Sequence, residues 1–189
     1  METPNELTAS QSLDLISRMI REAKGRVQQN SFYFLLWGWV ILMANLGVFI
    51  LTKMAYPYPY IVWAITVPAW IISIVWGFRQ RRNAQTTTHF GRISTALWFS
   101  LGVVIFTIVA FGGQINFQVN PIILLISAIP TFTSGIILKF RPLILGGILF
   151  WVSGVASFLV PRELQPLIGA VAIACCYLVP GYMLKNRRD

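Results

Sequence analysis

The sequence predicts an all-α membrane protein: six transmembrane helices arranged as three antiparallel hairpins, preceded by a cytoplasmic amphipathic helix. Three observations carry that expectation. First, the 189 residues are 56% hydrophobic and only 11% charged, against roughly 25% charged in soluble domains. Second, six apolar runs approach the length of about 20 residues that a helical crossing needs, and none contains Asp, Glu, Lys, Arg or His. Third, thirteen of the fifteen Lys and Arg residues fall in four clusters between or beside these runs. The clusters are Arg18, Arg21, Lys24 and Arg26; Arg79, Arg81, Arg82 and Arg92; Lys139 and Arg141; and Lys185, Arg187 and Arg188. Every second turn is therefore basic, which places both termini in the cytoplasm, because short cytoplasmic loops retain Lys and Arg.

Residues 1–30 form the first unit and 31–189 the transmembrane domain. The first unit has no apolar stretch of signal-peptide type, so the first membrane helix is expected to act as its own insertion signal. Thr8 and Gln11 have capping-box spacing, in which each side chain bonds the other's backbone amide at a helix start. Leu13, Ile16, Ile20, Ala23 and Val27 then recur at alternating spacings of 3 and 4, which puts them on one face of a helix. Gly25 is expected to end or bend this helix before Ser31. Two roles fit the stripe. It lies on the inner membrane surface with basic residues toward anionic headgroups, or it docks a cytoplasmic partner or a second copy.

The crossings are expected at 32–52, 58–78, 93–112, 121–138, 143–160 and 167–184. All backbone polar groups in the bilayer must be satisfied internally, so the runs are helices or a closed barrel. Barrel strands alternate apolar and polar residues, and these runs do not. Outside, the first turn leads into Tyr56-Pro57-Tyr58-Pro59-Tyr60, suited to the interfacial aromatic belt. The second carries Gln114, Asn116, Gln118 and Asn120 with no charge, and the third runs from Pro161 to Pro166.

A weak threefold repeat joins the crossings in pairs. Val67-Pro68-Ala69-Trp70, Ile129-Pro130-Thr131-Phe132 and Val179-Pro180-Gly181-Tyr182 share one pattern in the even helices, and Leu36-Trp37, Leu97-Trp98 and Phe150-Trp151 another in the odd ones. Internal duplication of this kind is common in membrane proteins. Each proline frees the carbonyl four residues earlier, those of Ala64, Ile126 and Cys176. Nearby hydroxyls at Thr66, Ser127, Thr131 and Thr133 are candidates to re-satisfy such groups. Pro68, Pro130 and Pro180 are thus candidate hinges or packing kinks, and Asn45 a candidate interhelical hydrogen bond or substrate contact. Small residues in the fifth and sixth crossings, among them Gly154 and Ala174, predict close packing between those two helices.

Chemistry of other kinds finds no carrier. Ionisable groups inside a membrane are the default markers of proton relays, ion coupling and embedded catalysis, and the runs contain none. His89 stands alone, and Cys175 and Cys176 are adjacent, without metal-ligand or disulfide spacing. No catalytic residue, cofactor or metal ligand is assigned, and the protein is not expected to be an enzyme. The net charge of +9 is divided among membrane-flanking turns, so its expected partner is the bilayer with anionic headgroups and not nucleic acid.

The stretch Ser12-Leu13-Asp14-Leu15-Ile16-Ser17-Arg18-Met19-Ile20, with Ala23-Lys24 and then Ser31-Phe32-Tyr33-Phe34-Leu35-Leu36-Trp37-Gly38-Trp39, resembles a family of small uncharacterised bacterial multi-pass membrane proteins. Gly135-Ile136-Ile137-Leu138-Lys139-Phe140-Arg141-Pro142-Leu143 and Pro180-Gly181-Tyr182 extend the resemblance over nearly the whole chain. It implies a bacterial inner-membrane location and no catalytic residues. The expected function is a regulatory or scaffolding role exercised through the N-terminal helix, with a cytoplasmic protein or a second copy as candidate partner; the alternative is a small oligomeric carrier or channel for an uncharged substrate.

Overall fold

A computed structural model of the chain describes residues 9–83 and 89–186. The described residues are helical nearly throughout, and six segments among them are long and apolar enough to cross a membrane: Ser31–Lys53, Pro59–Arg79, Ile93–Ala110, Val119–Ile137, Arg141–Phe158 and Gln165–Asn186. Their ends fall within about two residues of the hydropathy boundaries, because the physical signal is simply where apolar chain begins and stops.

The first helix, α1 (Ala9–Lys53), is a single element of 45 residues. Gly25 does not end it. A glycine inside a helix costs only about 1 kcal/mol, which its long flanks on both sides absorb. Thr8, the proposed cap, lies outside the described residues. A 3-10 stretch, Pro59–Ile65, begins the second crossing and passes into α2 (Thr66–Asn83). Then follow α3 (His89–Ala110), α4 (Val119–Ile137) and α5 (Arg141–Phe158). The last crossing is broken into α6 (Gln165–Ile173), a π turn (Ala174–Leu178) and α7 (Val179–Asn186).

The helices divide into a core and a periphery. In the spans of α1, α4, α5 and the last crossing, 28, 44, 33 and 56% of the most apolar window is buried; in those of α2 and α3 it is 6% each. The most extensive pairing is α4 with α5, followed by α1 against the last crossing. Small residues explain the first pair. A Cβ on Gly147 would lie 2.6 to 2.8 Å from Phe132 Cβ, Cα and N, and one on Gly154 2.6 Å from Leu125 Cγ. Without those Cβ atoms the two backbones close, as membrane helices do in place of hydrophobic association. This corrects the expectation for Gly154: its partner is α4, not the last helix. The contact of α5 with the last crossing runs instead through Gly146, beside the π turn.

The short turn from α4 to α5 is built without glycine. Phe140 N–H donates to the Gly135 carbonyl at 2.9 Å and Lys139 N–H to Ile136 at 3.1 Å, which is the Schellman pattern. Its left-handed position is held by Lys139, φ 50°. The end of α1 repeats it with Ala55, φ 53°, through Tyr56 N–H to Leu51 O and Ala55 N–H to Thr52 O.

Candidate functional site

The three repeated prolines meet three different fates. Pro68 is the third residue of α2, directly after the 3-10 stretch, and is exposed at the bundle surface. Pro130 sits inside α4 and is buried. Pro180 is the second residue of α7 and is buried, immediately after the π turn. They do not line one common path.

Near Pro180 the displaced hydrogen bond is reorganised into a π turn, and before Pro68 into a 3-10 stretch whose Thr66 N–H reaches Ala64 O. Val179 N–H donates to Ala174 O, five residues back, so the helix widens by one residue before the proline. The Cys176 carbonyl, which Pro180 cannot reach with an N–H, lies against Gly146, 3.1 Å from where a Cβ there would be. At Pro130 the neighbouring hydroxyl acts on a different carbonyl: Thr131 Oγ1 donates to Ser127 O at 2.7 Å. Thr66 Oγ1 donates to Trp63 O at 2.7 Å.

The π turn aims Tyr177 into the centre of the bundle. Its ring is 4% exposed and meets Phe34, Trp98 and Phe150 edge to face, with centroids 5.5, 6.2 and 5.1 Å away. Edge-to-face geometry sets positive ring edges on negative faces. The Tyr177 hydroxyl is 3.4 Å from Thr131 Oγ1. Because the single Thr131 proton is committed to Ser127 O, Tyr177 is the donor, and a chain runs from Tyr177 through Thr131 to the α4 backbone. This joins the π turn of the last crossing to the part of α4 that carries Pro130. Phe150, Leu143, Thr131 and Cys176 beside it are fully buried, so the middle of the bundle is filled by side chains.

A second constellation lies at the end of the bundle where α1 stops and α4 and α6 begin. Asn45 is 4% exposed, and its Nδ2 donates to Ile41 O at 2.9 Å within α1. Its Oδ1 is turned to α6: a Cβ on Gly169 would be 2.7 Å from it, and 3.0 and 3.2 Å from Oδ1 and Nδ2 of Asn120, at the start of α4. Gly169 thus lets carboxamides from two other helices rest on one point of the α6 backbone. Above them, Gln165 Nε2 donates to Gln118 Oε1 at 2.8 Å, and Gln165 is 3% exposed. Asn120 Nδ2 is buried and, among the described residues, without a hydrogen-bond partner. Four carboxamides and no charge make this an uncharged polar site, able to donate and accept hydrogen bonds but not to move protons or bind a cation strongly.

Of the residues singled out from sequence, Asn45 belongs to this cluster. The stripe residues Leu13, Ile16, Ile20, Ala23 and Val27 lie on the helical backbone of α1, and their side chains fall outside what is described. Asn120, Gln118, Gln165, Gly169 and Tyr177 were not legible as site residues. One signal pointed to two of them: Asn120-Pro121 and Gln165-Pro166 each set a carboxamide directly before a proline at a helix start. No family model, curated protein or solved structure matches the chain.

Proposed function

We propose that the protein is a non-enzymatic scaffold or regulator in a bacterial inner membrane, both termini cytoplasmic, which presents its N-terminal helix to a protein partner. The observation that carries this is the continuity of α1 from Ala9 to Lys53. At 1.5 Å per residue, 45 residues extend about 67 Å, of which a hydrocarbon core takes about 30 Å. Roughly half the helix is left on the basic side of the membrane. Sharp helix bends come from proline, Gly/Ser pairs or π-bulges, and α1 contains no proline.

A helix unbroken from Ala9 to Lys53 favours a course out of the bilayer over one flat on its surface. Lys24 and Arg26, within about 11 Å of Ser31 along the axis, remain in reach of anionic headgroups. Leu13, Ile16 and Ile20 are carried about 16 to 27 Å beyond it, where only protein can cover them. Of the two roles open to the stripe, docking is therefore the one that fits. The aromatic filling around Tyr177 argues in the same direction, since a carrier or channel needs a path where these rings stand.

The test is crosslinking in native membranes from a photoreactive residue at position 16 or 20, read by mass spectrometry. A reproducible cytoplasmic partner, or a second copy, captured there and lost in Ile20→Asp supports the reading. Crosslinks to lipid alone at both positions overturn it.

A further inference from the structure

We infer that the carboxamide cluster at the outer ends of α1, α4 and α6 is a binding site for a neutral amide group, reached from the outer face. This goes beyond the docking role of the N-terminal helix and does not depend on it.

The burial of the polar side chains rises along the line of sequence from the connecting turn to the cluster. Gln114 and Asn116 are exposed in the outer turn, Gln118 and Asn120 are half-buried, and Gln165 and Asn45 are buried. Asn45 is eight residues inside the end of α1, about 12 Å along its axis, so the cluster reaches well into the apolar layer. Polar groups at that depth are costly unless paired. Gln118 and Gln165 pair with each other; Asn45 and Asn120 do not complete their sets. Asn45 uses Nδ2 on its own helix, leaving Oδ1 turned toward Gly169 and Asn120, while the buried Asn120 Nδ2 has no partner among the described residues.

An available acceptor beside an available donor is complementary to a group carrying one of each side by side. An amide is such a group, as the Gln118 and Gln165 contact one turn above illustrates. Charge is disfavoured in either sign, because the cluster contains no ionic partner and an isolated charge at this depth costs several kcal/mol. Gly169 is the floor of the site: any side chain there would occupy the place where Asn45 and Asn120 converge. The outer turn that leads to it holds two successive non-glycine residues at positive φ, Asn116 at 52° and Phe117 at 55°.

The ligand is either a free small amide or the backbone of a peptide, and the experiment separates them. The full chain in lipid nanodiscs is melted with N-methylacetamide, with a doubly blocked dipeptide, and with acetate and methylammonium as charged controls. A saturable rise of about 3 °C is expected at ten times the dissociation constant of a bound probe. N-methylacetamide acting alone identifies a small-amide site; the dipeptide acting at lower concentration identifies a peptide site. Asn120→Ala, which removes the unpartnered donor from a half-buried position, is expected to fold and lose the shift. Gly169→Ala is expected to lose it as well. No saturable shift with either neutral probe, an equal shift with the charged controls, or an undiminished shift in Asn120→Ala would overturn the assignment.

Discussion

The second and third crossings, peripheral in the bundle, are more apolar than the fourth and fifth, yet far less buried. In a soluble protein that ordering would be inverted. In a bilayer the lipid is as apolar as leucine, so hydropathy drives a segment into the membrane without deciding what it packs against. Helix α2 presents Ile71, Ile72, Ile74 and Val75 at the bundle surface, and α3 presents Phe99, Val103 and Phe106. Helix α4 buries Ser127, Thr131, Ser134 and Gly135, and α5 buries Gly146, Gly147, Gly154 and Ser157. Small and weakly polar residues mark the core; large aliphatic ones mark the lipid face. The two groups meet through aromatic contacts, with Trp70 of α2 edge-on to Trp37 of α1 at 5.4 Å and its ring 3.3 Å from where a Cβ on Gly102 of α3 would be.

The contrast is broken or sharpened by substitutions that should behave oppositely in the two regions. The largest effect is expected for Phe150→Ala, which empties a fully buried position beside Tyr177: a loss of about 3 to 5 kcal/mol, read as the midpoint of denaturation in mixed micelles. Gly147→Ala follows, at about 1 to 3 kcal/mol, since its Cβ meets Phe132 backbone that cannot swing aside. Tyr177→Phe should cost about 1 kcal/mol through the lost Thr131 contact. Ala55→Gly should raise stability by about 0.5 to 1 kcal/mol, by relieving a left-handed alanine. Ile71→Ala or Val103→Ala should change the midpoint by less than about 0.5 kcal/mol. A large loss at Ile71 or Val103 would mean that α2 and α3 are covered by protein and not lipid.

The fold was legible to different depths in different places. The crossings and their ends followed from apolar length, and the start of the third matches at Ile93 itself. The threefold proline repeat was legible as sequence, but Pro68, Pro130 and Pro180 enter 3-10, α and π surroundings, because neighbours decide whether a freed carbonyl finds room. Cys176 O found it at Gly146, and that pairing joins residues thirty positions apart. Gly154 marks a close contact in the sequence without identifying Leu125 as its partner, for the same reason: a small residue announces that something comes close, not what. Lys139 and Ala55 hid two helix stops that a search for glycine passes over.

By itself the sequence determined the number of crossings, their limits and the basic side, since each depends on a sum over local residues, transfer of apolar length and retention of charge. Only the tertiary structure decided that α2 and α3 stand outside the core, that Tyr177 fills its centre, and that Asn45, Asn120 and Gly169 converge. Those outcomes depend on which small residues face each other across separate helices, and no local sum contains that information.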